Sequence, residues 1–384
     1  MSLEAELTWN FNTVFTQKPC APPARHATAA APERTHDRPS SMPNDLDPVD
    51  ADSSPALPEA IPDHDGLLAA RQSAVHAVLR HCATLAIDGP DAPAFLQGQL
   101  SNDVKALTPE KCQYTSYNTP KGRMLANFVL WQAGPESFRA LLPAELAAGV
   151  AQRLRMFVLR SKVAIAEPGD ARAAIGVGGP AAETVLANAL GVAPPVFGVA
   201  AAGNATILAL PGPRFIVVAP TAAIDEIGDR LGRHARPVGF AVWRWLTIDA
   251  GVPVVTAATQ DQFVLQMANW DVLGGVSFHK GCYPGQEIVA RTRYLGRLKE
   301  RLYALHADVA AAPGTRLYSS VFGDQPCGTV VNAAPAPEGG WALLAVAQIA
   351  AAAARDLRLG AADGARLEHR ALPYAIPAPP EPRR

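Results

Sequence analysis

The order of hydrophobic and polar positions predicts alternating helices and short strands from Leu67 onward. The segment LLAARQSAVHAVLRH places Leu67, Leu68, Val75, Val78 and Leu79 near one face of a helix, so we predict that the folded part begins there. The next predictions are a strand from Thr84 to Ile87, a helix over PDAPAFLQGQL, strands over CQYTSYN, RMLANFVLW and ESFRALLP, and a helix over AELAAGVAQRLRMFVL.

A similar series of elements follows. We predict a strand over ARAAIGV, a helix over PAAETVLANAL, strands over NATILALP and RFIVVAP, a helix over AIDEIGDRLGR and a strand over FAVWRWLTI. Both series contain antiparallel hairpins and no long parallel run, which indicates two successive α+β units of the ferredoxin-like type. The pattern argues against a doubly wound nucleotide-binding sheet.

Beyond residue 296 the helical spacing fades, and strand-like pieces recur as ERLYALHA, TRLYS, CGTVVNAA, WALLAVA and ARLEHRALPY. These pieces predict a small C-terminal antiparallel β-barrel. The predicted fold class is therefore α+β, with two ferredoxin-like units in residues 66–295 and the barrel in residues 296–384. Residues 1–65 hold ten of the 35 prolines and few aromatics, so we predict a disordered tail that buries too little apolar surface to offset its ordering entropy.

Composition excludes several kinds of partner. The formal net charge is -1 and 18% of residues are charged, so no global basic field favours non-specific binding to nucleic acid or to an anionic membrane. A basic cluster of Arg153, Arg155, Arg160 and Lys162 is interpreted as a solvated face that balances a helix C-terminal dipole. No apolar run reaches about 18 residues and no secretion signal is evident, so we expect a cytoplasmic monomer that binds neither membranes nor nucleic acid directly.

Five widely spaced cysteines, Cys20, Cys82, Cys112, Cys282 and Cys327, form no CxxC pair and no Cys/His cluster. This usage predicts a reducing compartment and argues against a structural zinc site or a permanently held cluster. No permanently bound metal is therefore expected.

The stretch KGCYPGQE, residues 280–287, predicts a sharp corner followed by a helix. Proline and glycine at Pro284 and Gly285 suit the central positions of a type II turn. Cys282 would then lie just before a helix N-terminus and beside Lys280, and both features favour the thiolate. The alternative is that Cys282 is a small packed side chain in a tight turn.

Polar residues just upstream have an unusual spacing for a buried core. Gln266, Asn269 and Asp271 stand among apolar neighbours, and Gly274 and Gly275 allow close approach of the backbone. Their amides could read the donor and acceptor edge of a heterocycle in an apolar pocket. Equally, they could cap the backbone of an irregular loop.

At these residues the sequence resembles the YgfZ family of folate-binding proteins, which are related to the glycine cleavage T-protein and assist iron-sulfur enzymes. The resemblance rests on KGCYPGQE and on three further blocks, GPDAPAFLQGQLSNDV, YNTPKGRMLANFVLW and LTIDAGVPVV, in that family's order. It spans roughly residues 66–375 and implies a T-protein-like fold around a cavity that accepts tetrahydrofolate.

The resemblance also implies roles for individual residues. The signature positions are Lys280, Gly281, Cys282, Tyr283, Gly285, Gln286 and Glu287, with Arg291 just after them. Cys282 would be the reactive thiol, which could ligate a cluster transiently, while Lys280 would lower its pKa and attract the anionic tail of folate, and Tyr283 would shape the corner. Asn118 and Arg123, together with Gln266 and Asn269, are the expected folate contacts.

Two departures from the T-protein pattern concern chemistry. Met124 to Asn127 stand where that pattern has an acidic pair, and Thr247 stands where a basic residue is usual. The resemblance therefore favours a tetrahydrofolate-binding accessory protein for assembly or repair of iron-sulfur enzymes, with those enzymes or assembly factors as partners. The alternatives are a folate-dependent one-carbon transferase, with Asp103 or Glu287 supplying a carboxylate, and a folate-binding scaffold without chemistry of its own.

Overall fold

The computed structural model describes residues 63–166, 171–294 and 298–376. Residues 1–62, most of the predicted disordered tail, lie outside the described residues. The first helix begins at His64, shortly before the predicted start of the folded part. Its N-cap is Asp63, whose carboxylate accepts the backbone N–H of Gly66 at 2.8 Å.

Helices and strands alternate along the described chain. The helices are α1 (His64–Gln72), α2 (Ala92–Gln99), α3 (Ala144–Arg155), α4 (Ala182–Leu190), α5 (Ile224–Gly232), α6 (Phe240–Asp249), α7 (Gln286–Tyr294) and α8 (Ile349–Ala354). The strands are β1 (Val75–Val78), β2 (Cys82–Asp88), β3 (Cys112–Asn118), β4 (Met124–Gly134), β5 (Ser137–Pro143), β6 (Ala164–Ile165), β7 (Arg172–Gly178), β8 (Val199–Ala202), β9 (Ala205–Leu210), β10 (Arg214–Pro220), β11 (Arg236–Pro237), β12 (Glu300–Ala307), β13 (Arg316–Ser319), β14 (Gly323–Pro335), β15 (Trp341–Gln348), β16 (Arg358–Leu359) and β17 (Glu368–Arg370).

The strands form three sheets. A five-stranded sheet has the order β3-β4-β5-β2-β6, and a six-stranded sheet has the order β11-β1-β7-β10-β9-β8. The C-terminal sheet has the order β16-β13-β14-β15-β12-β17. Nearly all neighbouring strands are antiparallel, the exception being the parallel pair β1 and β11. The described chain is thus a mixed fold built from hairpins, as the strand pattern predicted.

Strand β1 belongs to the six-stranded sheet although the strands that directly follow it in the chain form the five-stranded sheet. It precedes β2 in the chain, yet it pairs with β7 and β11 in the six-stranded sheet, with Val75 opposite Gly178 and Arg236. The two predicted units are therefore not strictly successive in sequence.

The prediction of one helix over residues 67–81 is wrong beyond Gln72. The helix ends at Ser73, and residues 75–78 form β1. Val75 and Ala77 are buried as they pair with β7. The β-branched valines satisfy helical spacing and strand preference equally well, and tertiary pairing decides between them.

The prediction of a strand over FAVWRWLTI is also wrong, since this segment forms α6. Trp243 and Trp245 are both buried, because α6 contacts α1, β1, β14 and β15. A helix that is covered on several sides is apolar nearly all round, so its sequence lacks the periodicity that would separate it from a buried strand.

The largest apolar core joins the five-stranded sheet to α6, to the irregular segment 252–276 and to α7. The segment that carries the cysteine motif is therefore fixed on this core and not on a free loop. None of the helices in the described ranges has both the length and the apolar character needed to cross a membrane.

Candidate functional site

The motif KGCYPGQE forms the predicted corner. The backbone N–H of Gln286 donates to the carbonyl of Tyr283 at 3.1 Å, and Gly285 has φ +81°. A positive φ at the third position is the signature of a type II turn. Helix α7 begins directly after it at Gln286, which confirms the predicted helix.

A second glycine turn packs against this corner. In the hairpin between β3 and β4, the N–H of Gly122 donates to the carbonyl of Thr119 at 2.9 Å, and Gly122 has φ +73°. A Cβ atom on Gly285 would lie 2.5 Å from the Cα of Gly122 and 2.6 Å from the carbonyl oxygen of Thr119. The two turns, 163 residues apart in sequence (285 − 122), therefore meet backbone to backbone.

Within the motif, Cys282 and Tyr283 face opposite environments. Cys282 is exposed, whereas Tyr283 is buried and its burial raises the pKa of its hydroxyl. The Lys280 ammonium lies 5.1 Å from the centroid of the Tyr283 ring, within the range of a cation–π contact. Tyr283 thus anchors the corner from inside and leaves the neighbouring thiol open to solvent.

Lys280 is buried and turned into the protein body. Its Nζ donates to the carbonyl oxygens of Gln97 at 2.7 Å, Leu100 at 2.5 Å and Asn102 at 3.0 Å. The Gln97 carbonyl is in the last turn of α2, Leu100 is its C-cap and Asn102 follows it, and a helix leaves acceptors without partners at this end. Burial lowers the pKa of Lys280 to about 8, while the Asp103 carboxylate opposes that shift.

All three donors of the Lys280 ammonium are therefore used by backbone carbonyls. These contacts fix the motif on the end of α2. The predicted attraction of a folate tail and activation of Cys282 by Lys280 stay predictions. Gln286 completes the support, because its Nε2 donates to the Lys280 carbonyl at 3.3 Å.

Of the remaining signature residues, Glu287 and Arg291 are exposed on α7. Glu287 and Arg291 are four positions apart on the helix and form no ion pair within 4.0 Å in the described structure. Both side chains are solvated or partly solvated, where such a pair gains little. Gly281 is exposed, and a Cβ atom there would meet no atom within 4 Å.

Seven buried side-chain polar atoms lack partners among the described residues. Three of the seven are Nδ2 of Asn118 in β3, and Oε1 of Gln266 and Nε1 of Trp270 in the segment 252–276, on side chains that are 2%, 3% and 1% exposed. Buried polar groups are nearly always hydrogen-bonded, so a group of such atoms is a strong indication of a missing partner. Asn118 and Gln266 were predicted folate contacts, whereas the sequence analysis did not single out Trp270.

The contacts of these residues connect them. Tyr114, Ser116 and Asn118 share one face of β3, because successive strand residues alternate. Ser116 donates to Oδ1 of Asn118 at 3.0 Å, and the Tyr114 ring packs on the Trp270 ring with centroids 5.2 Å apart. Gln266 lies four residues before Trp270 and donates through Nε2 to the carbonyl of Val289 in α7 at 2.6 Å.

Gly275 is the residue in the sequence that could have drawn attention to Trp270, because the Trp270 indole packs against its backbone. A Cβ atom at position 275 would lie 2.2 Å from the indole nitrogen of Trp270. The glycine was noted for close approach of the backbone, and the element that approaches it is this indole. A bulky aromatic within a polar, glycine-bearing segment was the available clue.

The other two predicted folate contacts hold the fold together. Arg123 is exposed and donates through Nη1 to the carbonyls of Asp261 at 3.1 Å and Gln262 at 3.0 Å. Asn269 is fully buried with φ +55° and donates to the carbonyl of Leu302 in β12 at 3.0 Å. Arg123 thus ties the hairpin to the segment before Gln266, and Asn269 ties that segment to the C-terminal sheet.

Neutral side chains occupy the positions where the T-protein pattern has charged residues, and their polar groups are already hydrogen-bonded within the chain. Asn127 donates to the carbonyl of Pro253 at 2.7 Å and accepts the N–H of Val255 at 2.8 Å, so its amide is consumed by the backbone. Thr247 donates to the carbonyl of Trp243 at 3.0 Å and accepts from the guanidinium of Arg214 at 3.2 Å. Arg214 is 2% exposed. Its guanidinium therefore places a cation next to Thr247, where the T-protein pattern has a basic residue.

The described cysteines differ in access. Cys82, Cys112 and Cys327 have pKa values raised by burial to about 12, about 12 and about 11. Cys282 is the exposed thiol among the four described cysteines. No group of three or more His, Cys, Asp or Glu residues in the described ranges is arranged to hold a metal ion.

Comparison with known proteins agrees with this architecture. Residues 64–211 match the model of the GCVT N-terminal domain. The crystal structure of the glycine cleavage system aminomethyltransferase T from Bartonella henselae superposes with a TM-score of 0.65, over 80% of this chain and 88% of that one. At 18% identity this likeness shows a shared mixed α/β fold.

Sequence relatives are closer. The tRNA-modifying protein YgfZ of Yersinia pseudotuberculosis is 35% identical over 234 residues, which cover 60% of this chain and 70% of the relative. The protein of the same name from Serratia proteamaculans is 34% identical over 243 residues, covering 61% and 72%. On the strength of this identity and coverage, the chain belongs to the YgfZ family.

Proposed function

We propose that this chain binds a reduced folate and uses Cys282 to support assembly or repair of iron-sulfur enzymes, including four-iron, four-sulfur enzymes. The observation that carries the folate half is the set of buried polar atoms without described partners on Asn118, Gln266 and Trp270. Two are donors and one is an acceptor. A pterin offers complementary carbonyl and N–H groups, so the donor set fits.

The relatives support the ligand class. The fold is similar to that of a glycine cleavage aminomethyltransferase, and the sequence resemblance implies a cavity for tetrahydrofolate. The relatives named tRNA-modifying protein suggest that an enzyme acting on tRNA is among the clients. We further propose that the two N-terminal sheets correspond to two ferredoxin-like units in residues 66–295, and that the C-terminal sheet closes as a barrel in residues 296–384.

When bound, tetrahydrofolate would supply a carrier for a one-carbon unit or a reductant. Asn118 and Trp270 would donate to the heterocycle, and Gln266 would accept from it. Tyr114 would hold the Trp270 indole in place by ring packing. Arg123 would act indirectly, by fixing the segment that carries Gln266.

The cysteine half rests on accessibility. Cys282 is exposed at a corner held by Tyr283 and Gln286, so a partner protein could reach its sulfur. One thiolate cannot hold a four-iron cluster alone, but it can ligate a transferred cluster briefly or form a mixed disulfide. Cluster iron is cargo in this proposal and not a resident metal.

A one-carbon transferase is the alternative. This chain lacks the acidic pair of the T-protein pattern, and the amide of Asn127 is already hydrogen-bonded to the backbone. Oδ1 of Asp103 accepts from Gln97 and from the N–H of Lys105, so one oxygen of its carboxylate is also occupied. Glu287 is exposed on α7 and remains the freer carboxylate. These contacts favour the accessory role, and the cytoplasm remains the proposed location.

Anaerobic calorimetric titration with tetrahydrofolate tests the folate half, using wild type, Arg123→Ala and Cys282→Ser. We expect micromolar binding that Cys282→Ser retains and that Arg123→Ala weakens, because Arg123 positions the hairpin. Absence of binding to the folded wild type would refute the folate half.

The cysteine half needs a cellular measurement. In bacteria that lack their own YgfZ relative, we expect the wild-type chain and Cys20→Ser to restore the activity of a four-iron, four-sulfur enzyme, and Cys282→Ser to fail. Restoration by Cys282→Ser would remove the thiol from the proposal and leave the scaffold alternative.

A further inference from the structure

The loop that follows α3 exposes an unusual group of apolar side chains. Eight large hydrophobic residues are exposed in the described part of the chain, and three of them fall within positions 156–159. Met156 is 62% exposed, Phe157 is 46% exposed and Leu159 is 87% exposed. Single exposed apolar residues are ordinary, but a contiguous group marks an interaction site. We name residues 156–162 the knob loop.

The knob loop is held firmly at both ends. At its start, Phe157 donates to the carbonyl of Leu154 at 3.0 Å, and Val158 packs against the main core. At its end, the N–H of Lys162 donates to the carboxylate of Asp91 at 2.7 Å. Ser161 donates to Val158 at 2.8 Å and closes the turn between them. The exposed side chains thus project from a fixed backbone and not from a free coil.

Leu159 has a conformation that leucine rarely adopts. Its φ is +46°, in the left-handed region that suits glycine and asparagine. Keeping leucine there costs conformational energy without any gain from burial in this chain. Strain of this kind concentrates at functional positions, where the surrounding structure enforces it. Function at the tip of the knob loop is a direct explanation for both the strain and the exposure.

The charged side chains of the knob loop itself are basic, and the Asp91 carboxylate lies at the N–H of Lys162. Residues 153–163 contain Arg153, Arg155, Arg160 and Lys162 and no acidic residue. Arg160 and Lys162 are exposed beside the apolar tip, while Arg155 is engaged with the carbonyl of Ile165 at 2.8 Å. An occupant would therefore carry acidic residues around an apolar centre. The sequence-based interpretation of these cations as a solvated face is the alternative, and all four side chains are exposed.

We propose that the knob loop docks on a folded partner protein that presents an apolar pocket rimmed by Asp or Glu. The rigid, protruding Leu159 fits a preformed pocket, and Arg160 and Lys162 complement the acidic rim. A second copy of this chain is disfavoured, because two-fold pairing would place like charges together. The loop has no tryptophan or tyrosine, the residues that favour a membrane interface. It has a single aromatic residue, Phe157, whereas binding of single-stranded nucleic acid uses several aromatics that stack on successive bases. This inference does not rest on folate or on Cys282.

Photocrosslinking in cells identifies the occupant. Benzoylphenylalanine replaces Phe157 in one strain and Val321 in a second, matched control strain. Val321 is a 53% exposed apolar residue in the short turn between β13 and β14. We expect a protein adduct from position 157 alone, with the linked peptide lying at an apolar surface that contains Asp or Glu. Adducts to lipid, to RNA, to this chain itself, or no adduct at all would overturn the proposal.

Binding of the identified protein to purified variants then tests the contacts. We expect Leu159→Asn and Arg160→Glu to weaken the affinity by at least about tenfold, and Val321→Asn to leave it unchanged. Because asparagine tolerates positive φ, Leu159→Asn should melt no lower than wild type. Unchanged affinity in folded Leu159→Asn would overturn the proposal, and Met156→Gln repeats the test at a residue without backbone strain.

Discussion

Neighbouring side chains of the motif KGCYPGQE have separate tasks. Lys280 and Tyr283 are buried and fix the corner, and Cys282 between them is exposed. The exposed thiol therefore has a rigid base, which suits a residue that must meet a partner repeatedly in one geometry. The turn and helix pattern around Cys282 followed from the sequence, and the reactivity of Cys282 stays a prediction. The inward direction of Lys280 did not follow from the sequence, because its partners are backbone carbonyls far away in the chain.

Replacement of Lys280 by methionine should change how stability depends on pH. The pKa of Lys280 falls from its ordinary value of 10.5 to about 8 in the folded chain, so the native state binds fewer protons than the unfolded state between these values. Stability contributed by Lys280 therefore rises with pH from about 8 to 10.5 and is complete above that window.

Chemical denaturation at pH 7, 8, 9 and 10 measures this effect. At pH 7 we expect Lys280→Met to lower the free energy of unfolding by about 2 kcal/mol, because three carbonyls lose their donor. The difference between wild type and variant should grow as pH rises through the window. A difference that stays constant or shrinks would contradict the stated protonation behaviour.

Trp270→Phe should weaken folate binding without unfolding the protein. Phenylalanine keeps the ring packing with Tyr114 and removes the indole N–H that has no described partner. We expect about a five- to tenfold loss of tetrahydrofolate affinity, the value of one hydrogen bond. Trp341→Phe, at a partly exposed position of β15, is the control and should bind as wild type. Equal affinity in both variants would count against Trp270 as a ligand contact.

Among the elements, the contact between two glycine turns organises the site. The β3–β4 hairpin and the corner before α7 touch at Gly122 and Gly285. Each turn was predictable from its own Pro and Gly residues, because turn chemistry is local. Their contact was not, since it depends on how the five-stranded sheet and the motif segment pack.

Gly285→Ala tests this contact. Alanine would be strained at φ +81° and would press on the backbone of Gly122, so we expect a loss of about 2–4 kcal/mol in the free energy of unfolding. Gly203→Ala is the matched control, with φ +61° and no atom within 4 Å of the added Cβ, and should cost about 1 kcal/mol. Equal losses in denaturant titrations would show that the turns do not press on each other.

Helices and strands differed in how far the sequence could predict them. The short strands of the C-terminal sheet and α7 had clear local signals and are confirmed. The wrong predictions, a helix through β1 and a strand at α6, fall on buried apolar segments. At such positions packing on all sides removes the polar face that periodicity needs.

Across the whole molecule, the segment with Gln266 and Trp270 depends on the C-terminal sheet. Arg301 in β12 forms a two-point ion pair with Asp271 at 2.7 Å and 3.1 Å, with side chains only 11% and 15% exposed. It also donates to the carbonyl of Gln266 at 2.8 Å. The distant sheet therefore sets the position of a proposed folate contact, a dependence that no local pattern could reveal.

Asp271→Ala should destabilise the whole molecule. It leaves the Arg301 guanidinium buried without its carboxylate, so we expect the free energy of unfolding to fall by about 3 kcal/mol. Glu368→Ala removes the exposed ion pair with Arg370 and should cost less than about 1 kcal/mol. Thermal and denaturant melts compare the two. A small loss in Asp271→Ala would mean that the sheet does not support the segment.

The most direct test of the folate site is nitrogen-15 NMR of the indole N–H groups during anaerobic titration with tetrahydrofolate. The chain has six tryptophans, and the signal missing in Trp270→Phe identifies Trp270. We predict that this signal shifts and saturates with the calorimetric affinity, because its buried N–H gains an acceptor. A Trp270 signal that stays unchanged while tetrahydrofolate binds would contradict the proposed site.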